Sequence, residues 1–379
     1  MLYPTCFAAL RARNGVARPL HRIVALIVAT VLVGTLLARP AAAETPPESP
    51  APAAPELVTL ASGLVNPRGI AFGPDGALYI AEAGNGGAEP PANGHRRMMI
   101  GHSSRVSRVT LEGEQTTVLD NLPSLLVGDD ELGAADVAFI DQTLYVLTAA
   151  GGLDTGDPDF DNVVLSVPLS EEPPVATRFF NLTEYNLANP SLTRQQDPVH
   201  TQVLGGMPFG LAALDGVLYA TDGNQEHVTR IMPDGTARRI LEYPMSNRVL
   251  TGITAGPDGM LYVAEFGPIP HKKDSSKVTR LSPEGIAGVV TDRLVDAIDV
   301  AFDAAGRMYI LEFAGPGIRV PESGRVLRVG EAGALTVIVD KLNFPSSFTF
   351  GPDGRLYIAV SGHYANDGTG RIVSLDIPD

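Results

Sequence analysis

Acidic residues recur at one position of an internal repeat in this 379-residue chain. Carboxylates that converge there could bind a ligand or a cation. The position ends a short apolar segment that contains a tyrosine, and four of its six copies are acidic: Glu82, Asp222, Glu265 and Glu312. Thr148 and Val360 occupy the other two copies. Carboxylate oxygens suit hard cations and polar ligands. We therefore predict that these four acids contribute to a ligand-binding site.

A second pair of carboxylates lies at the start of a different apolar segment. Asp136 and Asp299 occupy equivalent positions in the second and fifth copies of the repeat described below. If six copies surround a common axis, the two side chains face each other across it, and water could complete the six to eight oxygens that Ca²⁺ takes. The pair predicts a calcium site, and the alternative is an acidic rim that orders water.

Histidine and arginine supply the remaining candidates. His227 follows Asp222 closely and His363 precedes Tyr364, so either imidazole could act as a general base, unless both are ordinary loop histidines. Arg68 could bind an anionic ligand bidentately, or it could pair with a carboxylate of the rim. The chain has no Gly-x-Ser-x-Gly nucleophile motif and no phosphate-binding glycine-rich loop with lysine.

An internal repeat must position these side chains. Its clearest copy, residues 69–82, reads GIAFGPDGALYIAE. Six of the ten tyrosines occupy one repeat position: Tyr79, Tyr145, Tyr219, Tyr262, Tyr309 and Tyr357. Each copy predicts a strand, a Pro-Asp-Gly type turn and a second strand, and a third strand with a Val-x-Arg core follows in most copies. The later spacings, about 43–48 residues, are typical of four-stranded propeller blades.

The two ends of the repeat array complement each other. The last copy stops at Asp379 after its third strand, and residues 56–64 resemble a fourth strand that precedes the first copy. We therefore predict an all-β, six-bladed β-propeller over residues 56–379, closed by its N-terminal strand in a 3+1 arrangement. Such closure removes a free sheet edge. The alternative is a two-domain β protein whose repeats are similar by accident.

The N-terminal segment has the layout of an export signal. Residues 1–43 carry five arginines and no acid, then an apolar stretch, then Ala41-Ala42-Ala43. This pattern predicts a Sec-type signal peptide over 1–43 and a secreted or periplasmic protein, with an uncleaved anchor as the alternative. Residues 44–55 predict a disordered Pro/Ala-rich linker. The single cysteine, Cys6, would leave with the signal, so the mature chain would contain no thiol.

Charge restricts the partners. Loss of the five arginines would shift the formal net charge from −15 to −20, and such an acidic surface repels nucleic acid. We expect a monomer with no membrane span after cleavage, whose partner is a small molecule or a protein.

The motifs at residues 63–76 (GLVNPRGIAFGPDG) and 78–82 (LYIAE) resemble NHL and gluconolactonase/regucalcin-type propellers. The resemblance is greatest to the ScyD/ScyE family of exported bacterial propellers, and it covers nearly all of the chain after Glu56. It implies the fold and no settled reaction, because one fold supports unrelated activities.

The long insertions, such as 83–103, 149–161 and 183–206, are expected on one face of the propeller, which favours a site at the channel mouth on that face. The first hypothesis is a ligand- or protein-binding module. The second is a Ca²⁺-dependent hydrolase or lactonase, and the third is a quinone-dependent sugar dehydrogenase.

Overall fold

The computed structural model describes residues 55–91, 98–152, 155–196, 206–244, 246, 248–267, 274–313, 320–365 and 367–377. The predicted signal peptide and residues 44–54 of the predicted linker lie outside these ranges, as do three of the loop histidines: His95, His200 and His271.

The strands of the described residues form six antiparallel sheets, which we number as blades. Blade 1 contains β2 (Pro67–Phe72), β3 (Leu78–Glu82), β4 (Met98–Val109), β5 (Gln115–Val127) and β6 (Asp130–Leu132). Blade 2 contains β7 (Ala134–Ile140), β8 (Thr143–Thr148), β9 (Val163–Pro168) and β10 (Thr177–Asn181). Blade 3 contains β11 (Pro208–Leu214), β12 (Val217–Asp222), β13 (His227–Ile231) and β14 (Ala237–Glu242).

The last three blades follow the same order. Blade 4 contains β15 (Leu250–Ala255), β16 (Leu261–Glu265), β17 (Ser276–Leu281) and β18 (Ala287–Leu294). Blade 5 contains β19 (Ala297–Phe302), β20 (Met308–Glu312), β21 (Gly324–Val329) and β22 (Leu335–Leu342). Blade 6 contains β23 (Ser347–Phe350), β24 (Leu356–Val360), β25 (Gly370–Leu375) and β1 (Val58–Leu64). Two short helices, α1 (Leu182–Ala188) and α2 (Leu192–Gln196), lie between blades 2 and 3.

The first strands of the blades contact one another in a closed ring, in the order β2, β7, β11, β15, β19, β23 and back to β2. The ring confirms the predicted six-bladed β-propeller. Strand β1 pairs antiparallel with β25, from Val58 opposite Ser374 to Leu64 opposite Gly370. The last blade thus takes its fourth strand from the N-terminal end, which confirms the 3+1 closure.

Hydrogen bonds explain why the turn, the tyrosine and the arginine recur together. In blade 1, Asp75 of the Pro-Asp-Gly turn accepts from the Tyr79 hydroxyl (3.3 Å) and from Arg108 Nε of the third strand (2.7 Å). Asp258, Tyr262 and Arg280 repeat this arrangement in blade 4. One turn aspartate therefore joins three strands of a blade, and Gly76, at a φ of +74°, supplies the left-handed turn residue.

Aromatic contacts join successive blades at the same tyrosine. The Tyr79 ring meets Phe139 of blade 2 at 5.0 Å, and Tyr262 meets Phe302 of blade 5 at 4.8 Å, both edge to face. Phe72 meets Tyr357 across the blade 6–blade 1 junction at 5.1 Å. Such edge-to-face pairs add to the burial of the two rings. No helix within the described ranges is long and apolar enough to cross a membrane.

The closing strand should carry much of the stability of the ring. Leu64 of β1 is 0% exposed, whereas Val58 of the same strand is 46% exposed. We expect Leu64→Ala to lower the free energy of unfolding by about 2–5 kcal/mol, because it opens a cavity in the core. Val58→Ala should change it by less than about 0.5 kcal/mol. Urea unfolding measures both, and equal effects of the two changes would contradict this assignment.

Candidate functional site

A channel runs along the axis between the six first strands. Its cavity, of about 370 Å³, is lined by residues of β2, β7, β11, β15, β19 and β23, and both Asp136 and Asp299 border it. Since these first strands begin at the face of the long loops and end at the Pro-Asp-Gly turns, the channel has two unlike ends.

Asp136 and Asp299 each join two neighbouring blades through hydrogen bonds and lie against a glycine of a third. Asp136 Oδ1 accepts from its neighbour Val137 N (2.8 Å), and Oδ2 accepts from Leu211 N of blade 3 (2.7 Å). A Cβ on Gly69 of blade 1 would clash with this carboxylate, so glycine there makes room for it. The two carboxylates of the predicted calcium site therefore connect neighbouring channel strands.

Asp299 repeats this arrangement half a turn around the ring. Its Oδ1 accepts from Val300 N (2.8 Å), and its Oδ2 accepts from Ser347 Oγ (2.7 Å) and Phe348 N (3.2 Å) of blade 6. Gly252 of blade 4 leaves the space for it, as Gly69 does for Asp136.

Burial raises the pKa of both channel carboxyls. The pKa of Asp136 lies well above its ordinary value because of burial first, with the charge of Asp299 adding to the rise. Burial raises the pKa of Asp299 to about 6. In the described ranges, no group of three His, Cys, Asp or Glu side chains gathers to hold a metal ion. The calcium site therefore stays a prediction.

Three of the four recurrent acids are buried and paired within their own blades. Glu82, Glu265 and Glu312 lie opposite a cation on the neighbouring strand: Arg105, Lys277 and Arg325 respectively. The Glu82 carboxylate accepts from Arg105 Nε and Nη2 at 2.7 and 2.8 Å, and also from Val65 N at 2.7 Å. The geometry gives these acids a structural partner, and their ligand-binding role stays a prediction.

The fourth acid, Asp222, belongs to a buried network beneath α1. Its Oδ1 accepts from the backbone N–H groups of Met207, Asn224 and Gln225, and burial raises its pKa to about 6. Asn186 of α1 links Asp222 Oδ2 (3.4 Å) to His227 Nε2 (3.2 Å). His227 is 1% exposed, and burial holds its pKa well below the ordinary value. A substrate would have to displace α1 to reach this imidazole.

Arg68, at the start of β2, and His363, in the β24–β25 loop, meet Glu131 on the long-loop side of the channel strands, next to the residues that line the cavity rather than among them. Arg68 Nη2 donates to the Glu131 backbone oxygen (2.7 Å) and lies 3.4 Å from Oε2, while Arg68 Nη1 contacts His363 Nε2. His363 Nδ1 lies 3.5 Å from Glu131 Oε2, and Tyr364 N donates to Oε1 (3.2 Å). We call these four residues the mouth cluster. Arg68 is 8% exposed and Glu131 is 2% exposed.

The hydrogen-bond partners of His363 determine which of its ring nitrogens carries the proton. Arginine cannot accept a hydrogen bond, so His363 Nε2 must be the acceptor and Nδ1 must carry the proton that faces Glu131. Burial, and then the charge of Arg68, lower the pKa of His363 to about 4. Burial alone would raise the pKa of Glu131, but the His363 hydrogen bond and the Arg68 charge outweigh it and lower that pKa. The cluster therefore combines a cation, a neutral imidazole and a carboxylate at neutral pH.

Glu131 is the member of this cluster that the sequence analysis missed. It lies on β6, after the exposed turn Gly128-Asp129, in a fifth strand that the other described blades lack. The acidic run Asp129-Asp130-Glu131 after a glycine was a signal for an added hairpin, although nothing in the repeat shows where it points.

Comparison with known proteins identifies solved structures with a similar fold. A scan against family models and a search of curated proteins found no match. Among solved structures, a Thermus thermophilus protein assigned as a glucose dehydrogenase is 19% identical, with a TM-score of 0.58, over 85% of this chain and 99% of its own. The PQQ-bound aldose sugar dehydrogenase of Streptomyces coelicolor is 16% identical, with a TM-score of 0.54, over 86% and 99%. A protein assigned as a gluconolactonase is 15% identical, with a TM-score of 0.53, over 86% and 93%.

These solved structures share the propeller fold of this chain. At such identities the likeness shows the fold alone.

The raised pKa of Asp299 should make stability depend on pH. A pKa of about 6 when folded, against the ordinary 3.8, means that the folded state binds this proton more tightly. The associated stability is complete below about pH 4 and is lost as the pH rises through about 6. We expect the free energy of unfolding of the wild type, relative to Asp299→Asn, to fall by about 1–3 kcal/mol between these limits.

Urea unfolding from about pH 4 to pH 7.5 measures this difference, with Asp141→Asn at an exposed turn as the matched control. A wild-type to Asp299→Asn difference that stays constant with pH would contradict the assignment. The same two proteins, with and without CaCl₂, test the calcium prediction, because a channel ion would stabilise only the wild type.

Proposed function

We propose that this protein is an exported, ScyD/ScyE-like β-propeller that binds an anionic small molecule at the channel mouth on its long-loop face. The mouth cluster is the observation that carries the proposal. It brings one buried arginine, one neutral histidine N–H and one backbone N–H to the same place, from segments far apart in the chain. Donors that converge at the mouth of a closed scaffold are typical of sites that orient a small ligand.

The long loops support the same face of the propeller. Among the described residues of these loops, Phe160 meets His102 of β4 at a ring distance of 5.3 Å. Loops held by side chains on a rigid ring can present a preformed binding surface. A protein partner on this face is the alternative to a small molecule.

The Ca²⁺-dependent hydrolase or lactonase remains the second candidate. The observation in its favour is the pair of channel carboxylates with raised pKa values, Asp136 and Asp299. However, each carboxylate oxygen already accepts at least one hydrogen bond from the protein, which favours a role in joining the blades. The quinone-dependent dehydrogenase has no equivalent observation in its favour.

Export is part of the proposal, and it rests on the arginine-rich, apolar and alanine-rich layout of residues 1–43. We expect the protein secreted by a bacterial host to begin after Ala43. N-terminal sequencing and intact mass measure this directly. A full-length chain that stays in the membrane fraction would instead indicate an uncleaved anchor.

Binding should depend on the Arg68 guanidinium. We expect calorimetry with gluconate, citrate, glutarate, phosphate and sulfate to find at least one ligand, and Arg68→Lys to weaken its binding by about tenfold or more, because lysine cannot bind an anion bidentately. Arg108→Lys, which changes the Asp75 pair at the opposite end of the same blade, is the matched control and should leave affinity unchanged.

Equal losses in the two variants, or no binding by any of the five anions, would contradict the proposal. Turnover of a lactone and ester panel that EDTA abolishes would favour the hydrolase.

A further inference from the structure

We propose that Glu131 is an internal substitute for the ligand, so that the mouth cluster takes a carboxylate-bearing small molecule and the β6 segment must move aside to admit it. We call residues 128–133 the tongue. The inference rests on the proposed function, because it names the ligand class and the access route of the same site.

The donors of the mouth cluster already form a carboxylate receptor. Arg68 Nη2, His363 Nδ1 and Tyr364 N all approach the Glu131 carboxylate, at 3.4, 3.5 and 3.2 Å. One cationic fork and two neutral N–H groups are the donors that a carboxylate accepts from. If Glu131 withdraws, the same three donors face whatever enters the mouth, and they select a carboxylate over a cation or a neutral group.

The Glu131 carboxylate makes only long contacts with the arginine of this receptor. Elsewhere in blade 1, Arg105 binds the Glu82 carboxylate through two hydrogen bonds of 2.7 and 2.8 Å. Arg68 instead lies 3.4 Å from a single carboxylate oxygen of Glu131, and its short bond, of 2.7 Å, goes to the Glu131 backbone oxygen. A free carboxylate that replaced Glu131 would have no backbone restraint and could approach Arg68 more closely.

The tongue is an addition to the four-stranded pattern of the other described blades. Strand β6 pairs with β5 at three positions only: Leu125 with Leu132, Leu126 with Glu131 and Val127 with Asp130. Gly128, at a φ of +67°, and Asp129 form an exposed turn at its tip. A strand pair of three positions beside an exposed glycine turn can open locally at a lower free energy than the long strands of the ring. The tongue ends at Gly133, and Asp136, whose carboxylate joins blades 2 and 3, lies three residues later on β7. The propeller ring can therefore persist when the tongue opens.

Glutarate is the test ligand, because its terminal carboxylate and methylene chain match a glutamate side chain. If Glu131 competes with the ligand, Glu131→Gln should bind glutarate about tenfold more tightly than the wild type. Glu114→Gln, an exposed acid at the opposite end of the β4–β5 hairpin, removes the same charge and should leave the affinity unchanged. Weaker or unchanged binding by Glu131→Gln would overturn the inference.

Hydrogen exchange on the wild type gives a second readout that does not depend on the folding of a variant. Saturating glutarate should speed amide exchange across the tongue and in Leu125–Val127, since ligand and tongue exclude each other. Slower or unchanged exchange there would overturn the inference. If glutarate binds in an Arg68-dependent manner without these two effects, only the inference fails. If neither the wild type nor Glu131→Gln binds any of the five anions, the proposed function fails as well.

Discussion

The antiparallel pairing of β1 with β25 is the constraint on which the rest of the molecule depends. It completes blade 6 with a strand from the other end of the array, so the ring closes without a covalent link. Closure also builds the candidate site. Arg68 and His363 are 295 residues apart in the chain, and they touch because closure sets blade 6 beside blade 1. A change that opens the ring would therefore remove the mouth cluster along with the stability of the fold, although no residue of the cluster lies on β1.

Carboxylates serve three different purposes in this ring, and their surroundings decide which. Three of those that end the second strands, Glu82, Glu265 and Glu312, lie opposite a cation in register on the next strand, which keeps a buried charge tolerable. Asp136 and Asp299 have no cation among their hydrogen-bond donors, and burial raises their pKa values. Glu131 lies on an added strand and meets Arg68 and His363. Carboxylates thus close a blade, join two blades or fill the proposed binding site.

The fold could be predicted from the sequence because several repeats contain the interaction that shapes a blade. In blades 1 and 4 the turn aspartate accepts from the tyrosine hydroxyl and from the third-strand arginine, so the recurrence of these residue types encodes a blade. The candidate site was harder to predict from the sequence. Both alternatives for Arg68 were visible in the sequence, but its partner Glu131 lies outside the repeat, where spacing carries no register. The burial of His227 could not be predicted from the sequence either. Its position near an acid suggests a loop histidine, but the inserted helix α1 covers it.

The proposed carboxylate site at the channel mouth is occupied by the tongue in the absence of ligand. A crystal structure of the protein with saturating glutarate tests this most directly. We predict glutarate density with one carboxylate on Arg68, His363 Nδ1 and Tyr364 N, and with Glu131 displaced together with the rest of the tongue. Glu131 unmoved on Arg68 at saturation, with glutarate bound elsewhere or not at all, would contradict it.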